Sequence, residues 1–343
     1  TGEYNFNLDN KLVYGAEAEF DAARYPSDYA PAAWNWKKRL SDKAADEHIF
    51  SQFFDYQFRP FENLYSTFGL RSDEHSSTGR KASGRTTLAY KLDGNNKIRS
   101  SLGSGIRFPS LYDYHYANGN VPASGAGPDA PFHMQNLKVE RALSYDFGYD
   151  TNLDFLDLDL SITYFNIAQK NPLVGDSRNN WKQSNQSGES TSEGIEFSGG
   201  WKPKDKKIRL GFGYTFTDTY DSNTCDAGDC GLSGGGSELS TAKVRVPRHA
   251  LSTQISHNTA PNLNNTLSIK FVDEVRDFGN GNNSFADVVL DDYTIFNFSS
   301  TYKLFDSYNL FFNAENIFDD KYEQAHQYSS MGRSFNFGIK RAF

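Results

Sequence analysis

The sequence predicts an all-β chain folded as a transmembrane antiparallel β-barrel of about fourteen strands. Three observations carry that expectation: apolar residues alternate with period two in segment after segment, the links between segments sort into short and long, and the composition is aromatic-rich yet polar. The 343 residues include 28 Phe and 20 Tyr although only 37% are hydrophobic, and mean hydropathy is -0.66.

Taken in chain order, the alternation begins with Leu12, Tyr14, Ala16, Ala18 and Phe20. It returns in Thr86, Leu88, Tyr90 and Leu92, and again in Leu143, Tyr145, Phe147 and Tyr149. In FLDLDLSITYF, Leu156, Leu158, Leu160, Ile162 and Tyr164 oppose Asp157, Asp159, Ser161 and Thr163. Two Asp on one face of a strand exclude a dry interior there unless each finds a partner. The clearest case is KIRLGFGYTFTDTY, with Ile208, Leu210, Phe212, Tyr214 and Phe216 on one face and Lys207, Arg209, Gly211, Gly213 and Thr215 on the other. Leu267, Ile269 and Phe271, then Phe296, Phe298 and Tyr302, then Tyr308, Leu310 and Phe312 continue the pattern. The chain closes on SFNFGIKRAF, where Phe335, Phe337 and Ile339 alternate ahead of Phe343. Period two is the strand signature, and no amphipathic helix interrupts it.

Short links are expected at Arg59-Pro60 and around Gly94, Asn152, Lys204, Pro261 and Asp306. Long polar links fall at roughly 21–47, 72–80, 109–138, 168–188, 219–246, 277–291 and 319–331, and such alternation marks an outer-membrane barrel with periplasmic turns and extracellular loops. The final strand then runs inward and sets Phe343 at the periplasmic rim. A soluble sandwich also alternates, but its hairpins do not sort into two length classes. On the barrel reading Glu17, Glu19, Arg85, Arg99, Arg107, Asp146, Glu196 and Glu315 line a wet lumen. Trp34, Trp36, Trp181 and Trp201 are too few for an interfacial girdle, which Tyr and Phe must supply.

Several classes are excluded or disfavoured. No stretch approaches the roughly 20 apolar residues of a membrane helix. A net charge of -8 and a pI near 5.4 argue against nucleic acid, which needs clustered Lys and Arg. Cys225 and Cys230 in TCDAGDCG are expected to pair as a loop disulfide, since four metal ligands drawn from them with Asp226 and Asp229 fit poorly around one ion. The chain starts at Thr1 without the features of a signal peptide, so a signal has been removed or the start of the protein lies elsewhere. Asp277, Asp287, Asp291 and Asp292 lack a calcium-loop pattern and read as solvated surface. His249 and Ser252 are three apart on a strand, hence on opposite faces, which leaves no nucleophile and base pair for an enzyme.

Four stretches resemble the TonB-dependent receptors, energised importers of the Gram-negative outer membrane. SLGSGIRFPSLYDYHY is similar to the family's strand ending in a Phe-Arg-Ala-Pro-like turn, here Ile106-Arg107-Phe108-Pro109-Ser110-Leu111. QNLKVERALSYDFGYD resembles its Asn-Leu-Lys-Pro-Glu segment, with Val139 in place of Pro, and STSEGIEFSGGW its Gly-Ile/Val-Glu strand at Gly194, Ile195 and Glu196. The closing stretch resembles Asn-Leu-Phe-Asp-Lys-x-Tyr followed by Gly-Arg, here Asn316 to Tyr322 with Gly332 and Arg333. The spacing of the last third looks most like the cobalamin and smaller siderophore receptors.

The resemblance implies that residues 1–343 are the C-terminal portion of a barrel of about twenty-two strands, with a plug domain and an N-terminal TonB box that have no counterpart in this sequence. It implies active transport of a metal chelate (ferric siderophore, cobalamin or haem), no catalysis and no intrinsic cofactor. Partners on this reading are the TonB-ExbB-ExbD system, an N-terminal plug and barrel fragment, and lipopolysaccharide with outer-membrane lipid. Substrate contacts are assigned to Tyr112, Tyr114, His115 and Tyr116, whose rings would stack on a flat chelate or cap the membrane interface, with His133, Arg276 and Tyr328. His115 and His133 lie where haem receptors carry an axial His. Arg248, Arg276 and Arg333 near strand ends would attract an anionic siderophore or lipopolysaccharide phosphate. The alternative is a passive porin-like channel of about fourteen strands.

Overall fold

The computed structural model describes residues 1–24, 44–111, 113, 137–176, 182–185, 189–204, 207–221, 243–278, 287–305 and 307–341. In chain order the strands are β1 (Gly2–Asn7), β2 (Asn10–Arg24), β3 (Ala44–Phe61), β4 (Leu64–His75), β5 (Gly79–Lys91), β6 (Asn96–Arg107) and β7 (Glu140–Leu153). Then come β8 (Leu158–Lys170), β9 (Leu173–Asp176), β10 (Lys182–Asn185), β11 (Glu189–Trp201), β12 (Ile208–Asp221), β13 (His249–Ala260) and β14 (Leu263–Val272). The last are β15 (Val275–Phe278), β16 (Asp287–Leu290), β17 (Tyr293–Phe305), β18 (Tyr308–Glu315), β19 (Glu323–Ala325), β20 (Tyr328–Ser329) and β21 (Ser334–Arg341). Fifteen join one sheet in chain order: β1 to β8, β11 to β14, then β17, β18 and β21. The other six make three ribbons, β9 with β10, β15 with β16 and β19 with β20, each carried in a link on the long-loop side.

The sheet has fifteen strands against the expected fourteen, the addition being β1. Its turn is built by Asn7, whose Oδ1 accepts the Asp9 N–H at 2.9 Å and the Asn10 Nδ2–H at 2.8 Å. Three expected links also differ. Pro60 lies inside β3 rather than in a turn, at a register shift between Phe58 and Phe61 where its missing N–H disturbs no ladder bond. Asn152 pairs with Asp159 within the ladder, and the turn is the 3-10 segment Asp154–Leu156 closed by Asp157 at φ 53°. The long link at 72–80 shrinks to a hairpin with His75 opposite Gly79, because Ser72, Asp73, Glu74 and Arg80 stay in the ladder beyond the lipid-facing band.

Register aligns the apolar residues into lateral rows. Tyr90, Ile98, Tyr149, Ile162, Phe197, Tyr214, Leu251 and Phe271 are successive neighbours across eight strands. The adjoining row on the other face reads Arg99, Gly148, Thr163, Glu196, Thr215 and Ala250. A slip of one residue would exchange the two rows. The apolar row is exposed, as at Ile162, 46% accessible, whereas the buried apolar residues Leu111, Leu137, Val139, Leu290, Tyr293, Ile295 and Ala314 sit toward the long-loop end. That inside-out distribution is the one lipid demands of a barrel wall.

The polar face is knitted by long side chains that cross an intervening strand. Arg85 on β5 donates to Asp55 Oδ1 on β3 from Nε at 3.0 Å and Nη2 at 2.9 Å. It passes over Gly69 of β4, where a Cβ would lie 2.5 Å from that carboxylate oxygen. Arg99 on β6 crosses Gly148 of β7 to Ser161 Oγ at 3.3 Å and Thr163 Oγ1 on β8, and also reaches Asp150 Oδ2 at 3.2 Å. A Cβ on Gly148 would stand 2.7 Å from Arg99 Cζ. Gly148→Val is expected to expel Arg99 and cost about 1–3 kcal/mol by overpacking, read as a lower urea midpoint in detergent micelles. Gly94→Ala, in a turn with nothing within 4 Å, should leave the midpoint unchanged.

Candidate functional site

The long-loop end of the sheet gathers the buried polar groups into three clusters. Lumenal ion pairs lead up to them. Arg71 on β4 donates to Asp73 Oδ1 at 2.7 Å and to Ser51 Oγ at 2.7 Å, and meets Glu17 Oε2 on β2 at 3.0 Å.

The first cluster caps β3 and β4. Alternation turns Glu47 and His75 toward the lumen, while Glu74 and Arg80, outward neighbours at this level, are an exposed ion pair at 2.8 Å. The level therefore lies above the lipid-facing band. The Ser77 and Thr78 N–H groups donate to His75 Nδ1 at 3.1 and 3.3 Å, which leaves the ring proton on Nε2. Nε2 faces Glu47 Oε2 at 3.3 Å, and Phe108 stacks on the imidazole with centroids 4.7 Å apart and planes at 13°. Burial pushes the Glu47 carboxyl up to about 7, with the Asp21 charge adding to it. Burial also lowers the His75 pKa, helped by His48 and Lys81. Close as they are, the two groups thus favour a neutral pair over an ion pair.

The second cluster is built by two of the motif stretches. Arg107 contacts Glu140 Oε2 at 3.0 Å and Asp113 Oδ2 at 3.4 Å. Asp113 accepts the Ser110 N–H and hydroxyl, each at 2.9 Å, and Glu140 Oε1 accepts the Leu173 N–H at 2.6 Å. The hydrogen bond to Glu140 raises the Arg107 pKa above its ordinary value. Asn185 locks the neighbouring ribbon, accepting from Lys138 N at 2.6 Å and donating to Lys138 O at 2.8 Å. The glutamate of the Leu137-Lys138-Val139-Glu140 segment is therefore an anchor for the turn after β6.

The third cluster joins the loops after β12, β14 and β18. Asp277, 0% exposed, accepts Arg245 Nε–H on Oδ1 at 2.8 Å and the His326 N–H on Oδ2 at 2.7 Å. Beside it the Asn316 turn explains the closing motif. Asn316, at φ 47°, donates from Nδ2 to Asp320 O at 2.9 Å and accepts Asp320 N–H on Oδ1 at 2.9 Å. Asp319 Oδ1 accepts the Arg333 N–H at 2.8 Å and would meet a Cβ on Gly332 at 2.8 Å. Tyr322 stacks on Tyr293 with centroids 4.2 Å apart. Each of these motif positions thus has a local structural duty.

Of the expected contact residues, Tyr112, Tyr114, His115, Tyr116 and His133 lie outside the described residues, as do Cys225, Cys230 and Phe343. Arg276 is half-buried on β15 and its carbonyl accepts the Arg245 N–H at 2.8 Å. Tyr328 is 74% exposed on β20. The Asp277 to His326 bond links the two ribbons that carry them. Asp277 corrects the expectation of a solvated acid: it is wholly buried because the two ribbons close over it. His249 pairs instead with Tyr214, Nδ1 to hydroxyl at 2.8 Å. Among the described residues no three His, Cys, Asp or Glu gather in a metal-binding geometry. Glu47, His75 and Arg245 were not singled out from the sequence; only His75, the last residue of β4, carried a signal, since Glu47 lies inside β3 and Arg245 in the link before β13.

The chain matches the family model for the TonB-dependent receptor-like β-barrel over residues 1–317. It resembles the siderophore receptor PirA from Acinetobacter baumannii at 15% identity and TM-score 0.74, covering 99% of this chain and 53% of that one. A variant ferric enterobactin receptor from Pseudomonas aeruginosa, in complex with enterobactin, matches at 18% identity and TM-score 0.75, covering 100% and 53%. The FrpB iron transporter from Neisseria meningitidis matches at 15% identity and TM-score 0.74, covering 99% and 53%. The chain spans about half the length of these solved structures. No curated protein matches it by sequence.

Two outcomes follow from the rim. Folding raises the Glu47 pKa, so its contribution is fully present below its unfolded value near 4.5 and is lost as pH rises through about 7. The lowered His75 pKa has the opposite sign, its contribution being present above about 6.5 and lost on acidification. Glu47→Gln should flatten the decline in thermal stability that Glu47 contributes between about pH 5 and 7, a slope of about 1.4 kcal/mol per pH unit at most, while leaving the His75 contribution in place. Asp277→Ala should cost about 1–3 kcal/mol and speed amide exchange together at 243–248 and 323–329, measured by hydrogen-exchange mass spectrometry.

Proposed function

The chain belongs to the TonB-dependent receptor β-barrel family, and from that premise we propose that it forms the wall and outer mouth of an importer for a ferric siderophore. The family is one of transport receptors rather than enzymes, and its barrels place the chain in the Gram-negative outer membrane. The match over residues 1–317 is the observation that carries the reading. The structural neighbours give it direction, being by name a siderophore receptor, a ferric enterobactin receptor and an iron transporter.

The lumen supports such a cargo. Arg71, Arg85, Arg99 and Arg107 each lie against carboxylates, so the wall offers hydrogen bonds with little free charge to arrest a charged chelate. Coupling to TonB, ExbB and ExbD and an enclosed plug belong to the same proposal. So does completion of the wall: β1 and β21 are the sheet's two edges, and orphan backbone groups in lipid cost several kcal/mol each, so both edges pair with further strands. Cobalamin and haem are the rival cargoes.

Uptake of ferric enterobactin, haem and cobalamin into iron-limited cells with and without the protein tests the reading. Saturable uptake of the ferric chelate alone, abolished when TonB is removed, is the expected result. Preference for haem or cobalamin would replace the cargo, and non-saturable flux independent of TonB would establish a passive channel instead.

A further inference from the structure

The lumenal wall is not uniform around the sheet. From β3 to β8 its cations are engaged within the wall: Arg71 with Asp73 and Glu17, Arg85 with Asp55, and Lys97 and Arg99 with Asp150. Lys91 lies over the Tyr65 ring at 5.0 Å. Charges matched in this way have little left to offer a partner.

From β11 to β14 the arrangement differs. Ser198, Gly213, Ser252 and Lys270 are successive register neighbours on the lumenal face, and Glu196, Thr215 and Ala250 form the row beside them. Glu196 and Lys270 are both exposed, and neither side chain has an ion pair or hydrogen bond among the described residues. They stand three strands apart, about 14 Å at the spacing of neighbouring strands, which is beyond the reach of the two side chains. The interval between them is floored by small residues. A Cβ on Gly211, the next lumenal position along β12 from Gly213, would have nothing within 4 Å.

Opposite free charges at the two ends of a bare floor make a bay for a body that carries the complementary pair. Water serves both charges while the bay is open. A body that covers it displaces that water and must supply partners, because an unpaired charge shut away from water is costly. Complementarity therefore fixes both the surface that fits and its orientation. The β3 to β8 wall has the converse property: it can be covered and uncovered without stranding a charge, since Arg71, Arg85, Lys97 and Arg99 keep their carboxylates either way.

We propose that the enclosed plug docks in the bay between Glu196 and Lys270, meeting the first with a cation and the second with a carboxylate, and stays there while the β3 to β8 wall is uncovered for the cargo. This rests on the importer reading and adds to it which side of the lumen holds the plug and which side passes the chelate.

The test uses the full-length receptor from its own outer membrane. In hydrogen-exchange mass spectrometry the Glu196→Lys variant should show plug peptides exchanging about tenfold faster, with Tm of the barrel unchanged because Glu196 has no partner within the wall. Arg85→Gln should do the reverse, lowering barrel Tm and leaving plug exchange as it was. Thr87 and Ser252 then report the path, one on each wall. With whichever of ferric enterobactin, haem and cobalamin the unaltered receptor takes up, the Thr87→Cys variant should react with a bulky maleimide about tenfold faster during uptake than at rest, and the reaction should stop uptake. The Ser252→Cys variant should stay unreactive in both states. Plug exchange unmoved by Glu196→Lys overturns the proposal, as does reaction of the Ser252→Cys variant in place of the Thr87→Cys variant. A receptor without plug peptides, or one that takes up none of the three chelates, sinks the importer reading itself and is recognised before any variant is made. Should Glu196→Lys fail to insert, Glu196→Gln carries the same comparison.

Discussion

Lipid offers no hydrogen bonds, and that one constraint organises everything else in this molecule. Each backbone N–H and C=O in the hydrocarbon layer must be paired within the protein, and a continuous antiparallel ladder does this for thirteen sheet strands on both sides. Once the ladder is set, side chains alternate between its faces, and the register that pairs Phe197 with both Ile162 and Tyr214 also pairs Glu196 with both Thr163 and Thr215. The apolar exterior and the polar lumen are therefore one fact about spacing rather than two.

Within the lumen the ladder alone does not decide the chemistry. Arginines reach across whole strands, and they do so where the strand beneath has no side chain, as at Gly69 and Gly148. The result is a wall rich in donors and acceptors whose charges are largely matched locally. Arg71 shows the economy of the scheme, with Asp73, Ser51 and Glu17 drawn from three strands. Exposed single pairs of this kind contribute little each, but networks with shared partners hold a geometry.

Beyond the membrane the ladder gives way to anchors of other kinds. His75 uses its imidazole as a turn acceptor and presents its remaining N–H to a buried carboxyl. Glu140 and Asp277 are carboxylates that collect backbone N–H groups and arginines from separate loops. These contacts tie long links to the barrel at fixed points.

How much of this could be read from the amino-acid order depends on the range of the interaction. The strands, their faces and the sorting of links were legible, because alternation is a local property and glycine, asparagine and proline announce turns. Even there Pro60 misled, since a proline tolerated at a bulge looks like a turn residue, and 72–80 looked like a loop because polar strand rungs above the membrane resemble one. The closing motif was legible as a resemblance, yet the duties of Asn316, Asp319 and Gly332 emerged only when the turn was seen folded. Partners such as Glu47 with His75, Arg107 with Glu140 and Arg245 with Asp277 are 28, 33 and 32 positions apart. Sequence determined which face each side chain takes, since that needs only parity. Tertiary structure decided which distant side chains meet, because pairing across strands depends on register and loop path, and neither is a local property.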